Sequence, residues 1–249
     1  MIKRYLKGGI IKDFAYEDTE EGSGQGSVCS PILANIYMHY ILVWWFEECI
    51  VPKLKGYGGL VVYADDFVVC FQYKEEAELF YELLKKRMKI FGLEMEESKT
   101  RLIEFGRMAE QNRKARGERK PETFEFLGFT HYCSKSRRGW FRVKRKTSKK
   151  KFAKKCRELS QTIRAMRTWR LTDIFRKTNQ ILVGYYHYYG ITDNGKSLQR
   201  MKRKVENLLF YWLNHRSQKR SYNWDGFLEL LKAFPLAKPK IYVNIYQTG

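Results

Sequence analysis

Two adjacent carboxylates, Asp65 and Asp66, stand in the stretch Gly59-Leu60-Val61-Val62-Tyr63-Ala64-Asp65-Asp66-Phe67-Val68-Val69-Cys70-Phe71. Apolar, β-branched and aromatic runs flank them. The stretch therefore reads as two strands buried on both faces and joined by a tight turn at Ala-Asp-Asp. Carboxylates held together at the tip of a buried hairpin repel each other and lose water. A hard divalent cation with oxygen ligands relieves both penalties. The plainer reading is that Asp-Asp simply makes a type I turn, and four letters alone do not choose between the two. A second stretch of interest is Gly22-Ser23-Gly24-Gln25-Gly26-Ser27-Val28-Cys29-Ser30-Pro31. Its three glycines let backbone approach a ligand or another strand closely. No Gly-Lys-Ser/Thr follows, so it is not a phosphate-binding P-loop. Taken alone, it reads as a glycine-rich loop that feeds a core helix.

The elements that must position these residues follow from periodicity. Lys3 to Glu21 reads as a short extended or hairpin segment. Ser30-Pro31 reads as N-cap and first helical residue. The helix it opens runs to about Glu48, with apolar residues dense enough to bury most of its circumference. Lys74 to Phe91 is amphipathic, with Ala77, Phe80, Leu83, Leu84, Met88 and Phe91 on one stripe and Gly92 as the stop. Leu93–Met95 and Thr100–Phe105 look like short strands, with Lys99 in the turn between them. Residues 107–122 are polar and charged and read as a loop. Phe124–Thr130 alternates like a strand, and Arg138–Val143 reads as its return. Helices are then expected at Ser148–Arg167, from a Thr172 cap to Tyr189, from Asp193 or Asn194 through Trp212, and at about Asp225–Phe234. The tail ends as a strand, Ile241-Tyr242-Val243.

Charge separates the chain into two parts. Residues 1–134 hold 19 basic and 21 acidic side chains, a net of −2, while residues 135–249 hold 29 and 6, a net of +23. From Ser134 to Arg157 there are 13 basic residues and no acidic one. Such a field calls for a polyanion. Anionic membrane is the weaker candidate, because few large apolar residues accompany the charges at helical spacing. Arg137, Arg138, Arg142, Lys144, Arg145, Lys149, Lys150 and Lys154 are the candidate contacts to that polyanion. Five cysteines, at 29, 49, 70, 133 and 156, form no C-x-x-C pair. That argues against a disulfide framework and a zinc site and suits a reducing compartment. No signal peptide is legible at Met1-Ile2-Lys3-Arg4 and no run is long enough to span a bilayer, so the expected location is the cytoplasm.

The order Gln-Gly…Ser-Pro, Tyr-Ala-Asp-Asp, Gly-Leu-Glu…Ser-Lys-Thr, Phe-Leu-Gly-Phe resembles the later blocks of reverse transcriptases, from palm into thumb. Gly106-Arg107, Gln180-Ile181-Leu182-Val183-Gly184-Tyr185-Tyr186 and Trp212-Leu213-Asn214-His215-Arg216-Ser217-Gln218 make it most similar to the bacterial group II intron reverse transcriptase/maturase family. The resemblance implies an α+β chain: a partial polymerase palm over 1–134, an antiparallel sheet with packed helices, then an all-α basic thumb or maturase domain over 135–249. It implies an RNA-directed DNA polymerase that joins a primer 3′-hydroxyl to an incoming nucleotide using two magnesium ions. Asp65 carries the metal in this reading and Asp66 supports it. Tyr63 and Ala64 line the primer end. Gln25, Gly26, Ser30 and Pro31 border nucleotide and template. Lys99 lies near the active centre, and Phe126, Leu127 and Gly128 hold the primer strand. The implied partners are intron and template RNA, a DNA primer and dNTPs. The chain departs from the family in lacking the fingers and the palm strand that supplies a further metal-binding aspartate. Gly24 and Ser27 stand where proline and glycine are usual. A DNA-binding segment and an endonuclease domain are also missing after the thumb. An upstream finger-and-palm polypeptide is therefore an implied partner. The alternatives are a splicing factor that binds RNA without polymerising, and a truncated remnant.

Overall fold

The computed structural model describes residues 10–12, 15–17, 29–219 and 221–246. The chain forms two compact units, Met1–Leu102 and Ile103–Gly249. It mixes helices with small antiparallel sheets, as an α+β chain should. The compact units meet upstream of the place where charge changes sign. Counted by unit, residues 1–102 hold 13 basic and 16 acidic side chains and residues 103–249 hold 35 and 11, nets of −3 and +24.

The first unit begins with a short hairpin, β1 (Ile10–Lys12) against β2 (Ala15–Glu17). Helix α1 (Ser30–Met38) has Cys29 rather than Ser30 as its N-cap, with Pro31 in the first turn where its missing N–H costs nothing. The helix widens into π-helical turns at His39–Trp44 and Phe46–Ile50. Arg87 donates from Nε to the carbonyl of Ile41 (2.6 Å) and from a terminal nitrogen to that of Tyr40 (3.2 Å), and its guanidinium lies 4.8 Å from the Trp45 ring. It thereby ties the widened turn to α2 (Lys74–Ile90).

Strands β3 (Gly58–Tyr63) and β4 (Asp66–Phe71) pair in register from Gly58 with Phe71 to Tyr63 with Asp66. Leu60, Val62, Phe67, Val69 and Phe71 pack on a core of Ile41, Leu42, Trp45, Phe46, Ile50, Phe80, Leu84 and Met88. The expectation of burial on both faces is corrected here. Alternation puts Val61, Tyr63, Asp66, Val68 and Cys70 on the opposite face, where Val61 is 57% and Tyr63 63% exposed. Helix α1 is likewise bare on one side, with Ile32, Ile36, Tyr37, Tyr40 and Trp44 exposed. Two strands and two helices make a single layer pair, which covers only one face of each element. Gly92 ends α2 at φ +67, as expected of a C-terminal stop. The strands expected at 93–95 and 100–105 do not form, and among the described residues neither segment joins a ladder.

In the second unit, the polar stretch 107–122 contains a helix, α3 (Ala109–Ala115), and not only loop. Its arginines pair with nearby acids. Arg113 pairs with Glu118 (3.0 Å) and Glu122 (3.5 Å), and Arg116 pairs with Glu104 and Glu118. Hydrogen bonds from Arg116 hold both of those carboxyls below the usual glutamate range. Strands β5 (Phe124–Phe126), β6 (Phe129–Lys135) and β7 (Phe141–Thr147) form one antiparallel sheet in chain order. The single strand expected over 124–130 is thus broken by a turn at Leu127-Gly128, with φ of 49 and 78. Positive φ at both positions is the geometry of a type I′ hairpin.

Helices α4 (Lys149–Met166), α5 (Leu171–Tyr189) and α6 (Gly195–Leu213) make an up-down-up bundle closed by α7 (Trp224–Ala233). Its core runs through Leu159, Ile163, Ile174, Leu182, Tyr186, Leu198, Met201, Leu209, Leu213 and Phe227, each at most 1% exposed. Ser148 caps α4 through Lys151 N–H, and Asn223 caps α7 through Gly226 N–H. Arg170, not Thr172, precedes α5. The expected C-terminal strand reduces to one parallel bridge, Ile191 with Val243. That bridge belongs to a strap. Tyr242 and Val243 N–H both donate to the Gly190 carbonyl (2.6 and 3.1 Å), and Thr192 N–H donates to Val243 (3.0 Å). The Tyr246 hydroxyl donates to Asp193 (2.6 Å) under the Arg142 guanidinium, 4.0 Å from the ring.

The joint between sheet and bundle is Asn194, which is fully buried. Its Oδ1 accepts from Thr147 N–H (2.9 Å), and its Nδ2 donates to Thr147 Oγ1 (2.9 Å) and the Tyr189 carbonyl (2.8 Å). Asn194→Ala leaves a buried N–H and carbonyl unpaired, at a cost of about 3 kcal/mol. Urea unfolding of the whole chain should show this loss. A midpoint within error of wild type would show that the joint contributes nothing.

Candidate functional site

The carboxylate turn belongs to the first unit. The β3–β4 ladder runs to its tip, so the loop is only Ala64-Asp65, and Asp66 is already the first residue of β4. Ala64 has φ 53. A type I turn needs negative φ at both central residues, so the plainer reading of the tip is corrected. A left-handed Ala costs about 1–2 kcal/mol, and such strain persists where surroundings hold it. Asp65 and Asp66 are both exposed, with Tyr63 beside Asp66 on the open face of the hairpin. No group of three or more His, Cys, Asp or Glu side chains that could hold a metal occurs among the described residues. Two exposed carboxylates on one turn do not, among these residues, complete a site for divalent ions.

Other expected members of this site are placed as follows. Ser30 and Pro31 form the first turn of α1. Gln25 and Gly26 lie outside the described residues. Lys99 stands in a solvent-facing turn, 81% exposed and 3.7 Å from Glu96. The Ser98 hydroxyl and then the Lys99 charge hold the Glu96 carboxyl below its usual range. Phe126, Leu127 and Gly128 belong to the second unit. Their turn is fastened by Tyr188, whose hydroxyl donates to the Leu127 carbonyl (3.1 Å), and by Ser148 N–H, which donates to the Gly128 carbonyl (2.9 Å). A Cβ at Gly128 would come within 3.1 Å of the Tyr189 hydroxyl, so both φ and space call for glycine.

The basic residues do not form one patch. Pairing puts Arg142, Lys144 and Lys146 on one face of the sheet with Tyr132, whose ring lies 5.2 Å from the Lys146 ammonium. Arg145 lies on the other face, paired in register with His131 and with its Nε buried without a partner. Burial, and then the Arg145 charge, depress the His131 pKa, so this face favours a neutral imidazole. Arg137 and Arg138 sit in the β6–β7 turn beside Trp140, which is 71% exposed. Lys149, Lys150 and Lys154 are exposed on the first turns of α4, with no acid there to offset the helix dipole.

Lys150 and Lys154 prove to be the start of a longer stripe. Positions 150, 154, 157, 161 and 164 recur at four-and-three spacing, giving Lys150, Lys154, Arg157, Gln161 and Arg164 one exposed face. Helix α6 lies alongside. Arg200 sits 5.0 Å from the Phe152 ring, Arg164 sits 5.5 Å from the Trp212 ring, and Trp212 Nε1–H donates to Ser160 Oγ (3.0 Å). The exposed Lys196, Arg200, Arg203 and Lys204 of α6 therefore extend the basic surface. Sequence reading missed these four, although the same helical spacing marks them.

No helix among the described residues is long and apolar enough to cross a membrane. Residues 2–131 match the family model described as reverse transcriptase (RNA-dependent DNA polymerase), and residues 149–226 match that of the group II intron maturase-specific domain. The group II intron-encoded protein LtrA of Lactococcus lactis subsp. cremoris is 25% identical over 120 residues, which is 44% of this chain and 20% of that protein. LtrA of strain MG1363 matches to the same extent. The matched part is thus about a fifth of the length of these curated relatives. With one model covering more than half of the chain and the other its helical bundle, this protein belongs to the group II intron reverse transcriptase/maturase family.

Proposed function

We propose that this chain serves RNA-directed DNA synthesis and maturation of a group II intron, with its second unit gripping RNA and its β3–β4 turn contributing to nucleotidyl transfer. The observation that carries this reading is the division of charge between the compact units, −3 against +24, with the cations exposed along α4 and α6. Proteins that bind nucleic acid carry this kind of one-sided basic surface. The reverse transcriptase family generally works with divalent metal ions, and magnesium is the ion proposed here. Asp65 and Asp66 are its proposed ligands, and further oxygen ligands are needed beyond those of the described residues. Tyr63 and Ala64 are proposed to face the primer end, and Gln25, Gly26, Ser30 and Pro31 the nucleotide and template. Lys99 is proposed as a phosphate contact, and Phe126, Leu127 and Gly128 as primer contacts. The proposed partners are intron and template RNA, a DNA primer, dNTPs and a finger-and-palm polypeptide, all in the cytoplasm.

A second reading is a module that binds intron RNA without polymerising. The incomplete carboxylate set of the described residues favours it. One substitution separates the two. Asp65→Asn should abolish primer extension, measured in the presence of any complementing polypeptide, while leaving RNA affinity within about twofold, because affinity resides in cations of the other unit. Extension that survives the substitution would leave the hairpin tip as a turn and nothing more.

A further inference from the structure

At the C-terminal end of α6 the surface opens into a concavity of about 690 Å³, lined by Asn207, Phe210, Tyr211, Asn214, His215 and Gln218 among others. That volume lies within the range of small-ligand sites. Its walls combine flat rings with amides. Tyr211 and His215 stack at 4.1 Å between centroids and 29° between planes, and Tyr211 remains 50% exposed. The His215 Nδ1 lies 2.6 Å from the Tyr211 carbonyl oxygen. A carbonyl only accepts, so Nδ1 carries the proton, and in the neutral ring Nε2 is left as an acceptor. Asn214 spends its Oδ1 on Tyr222 N–H (2.8 Å), which leaves its amide hydrogens. The side chains of Asn207 and Gln218 make no hydrogen bond to other described residues, so each amide offers both a donor and an acceptor.

The approach to this concavity is cationic. Lys196, Arg200, Arg203, Asn207 and Tyr211 recur at four-and-three spacing and lie on one face of α6. From Arg203 to Tyr211 the helix rises about 12 Å. A strand whose phosphates follow the first turns of α6 therefore arrives at the concavity with a base to place.

We propose that this concavity holds one unpaired base of a bound RNA strand, stacked on the Tyr211–His215 pair and hydrogen-bonded along its edge by Asn207, Asn214, Gln218 and His215 Nε2. Single-stranded bases are recognised by this combination of an aromatic platform and edge contacts, whereas bases inside an A-form duplex are not accessible to it. The inference rests on the RNA-binding reading above and goes beyond it in assigning base contact to residues that carry no charge.

The test uses the full chain and a fluorescein-labelled 12-nucleotide oligoadenylate, compared with the same strand made abasic at its central positions. Wild type should prefer the intact strand by about tenfold, the size of one stacked base. Tyr211→Ala and Gln218→Ala should each reduce that preference. Both should leave affinity for the abasic strand and the salt dependence as they were. Arg203→Ala should do the reverse, weakening both strands alike and flattening the salt dependence. Gln218 is exposed and makes no hydrogen bond to other described residues, so its removal tests the site without risk to the fold. Equal wild-type affinity for the two strands, with steep salt dependence, overturns this inference and leaves RNA binding standing. The same result is expected if the concavity serves a protein partner. Absence of salt-dependent binding to either strand overturns both.

Discussion

RNA affinity of this chain should fall about 250- to 1,000-fold as monovalent salt rises from about 50 to about 200 mM, with a log–log slope of about −4 to −5. The expectation follows from the surface of α4 and α6. Lys150, Lys154, Arg157 and Arg164 of one helix and Lys196, Arg200, Arg203 and Lys204 of the other are all exposed. If about six phosphates are neutralised, each releases condensed counterions, and the slope counts them. Fluorescence anisotropy on a structured RNA measures it directly. Replacing Lys150, Lys154 and Arg157 with alanine should remove about two units of slope. The same number of replacements in the first unit, at Lys53, Lys55 and Lys86, should remove none. A slope near zero, or equal effects in the two units, would mean that charge asymmetry has nothing to do with binding.

Primer extension is the second large effect. The 249-residue chain by itself should give no detectable extension of a DNA primer on an RNA template with magnesium and dNTPs. Among the described residues, Asp65 and Asp66 have no third carboxylate near enough to form a metal-holding group. A polypeptide that supplies a further acid on a palm strand should restore synthesis. Two features of the first unit receive it. Among the described residues strands β3 and β4 form a two-stranded sheet, so within that set each has an edge open to strand addition. The open face of the hairpin, with Val61 and Tyr63, and the bare side of α1, with Ile32, Ile36, Tyr40 and Trp44, are apolar. Extension assays with and without such a polypeptide, at several magnesium concentrations, distinguish the outcomes. Robust synthesis by the chain alone would mean that another acid completes the site. Tight association without synthesis would move the function to RNA binding and splicing.

Much of the second unit is legible in the residues because its signals are local. Four-and-three spacing and Ser148 before α4 each mark an element independently of its neighbours, while the Asn223 cap of α7 is seen only in the fold. The first unit is less legible because its outcome depends on what packs against it. Gly59–Phe71 has the composition of strands buried on both faces, yet only one face finds a core. Residues 93–105 have strand-like residues and pair with no strand among the described residues. Helix α3 has a single buried residue, Ala109, so it carries no apolar stripe for periodicity to register, and its arginines pair with nearby carboxylates instead. At the candidate site, the positions of Asp65 and Asp66 at a hairpin tip follow from the flanking runs. The left-handed Ala64 does not, because a tip of these residues fits several turn types. Proximity in sequence groups Arg145 with Arg142 and Lys144, but strand alternation sends it to the opposite face.

The strap over the second unit sets an order of assembly. Its contacts join residues far apart in the chain: Tyr242 and Val243 with Gly190, Tyr246 with Asp193, and Arg142 with the Tyr246 ring. The helices of the bundle, by contrast, are made of near-neighbour contacts that close quickly. Residues 241–246 are translated after every element they fasten, so during synthesis the β6–β7 hairpin and the α5–α6 turn exist for a time unlatched. Arg142 spends that interval without the Tyr246 ring beneath its guanidinium. Latching the tail then fixes the direction of this cation while leaving it exposed, so the last residues made settle where an earlier strand's charge points.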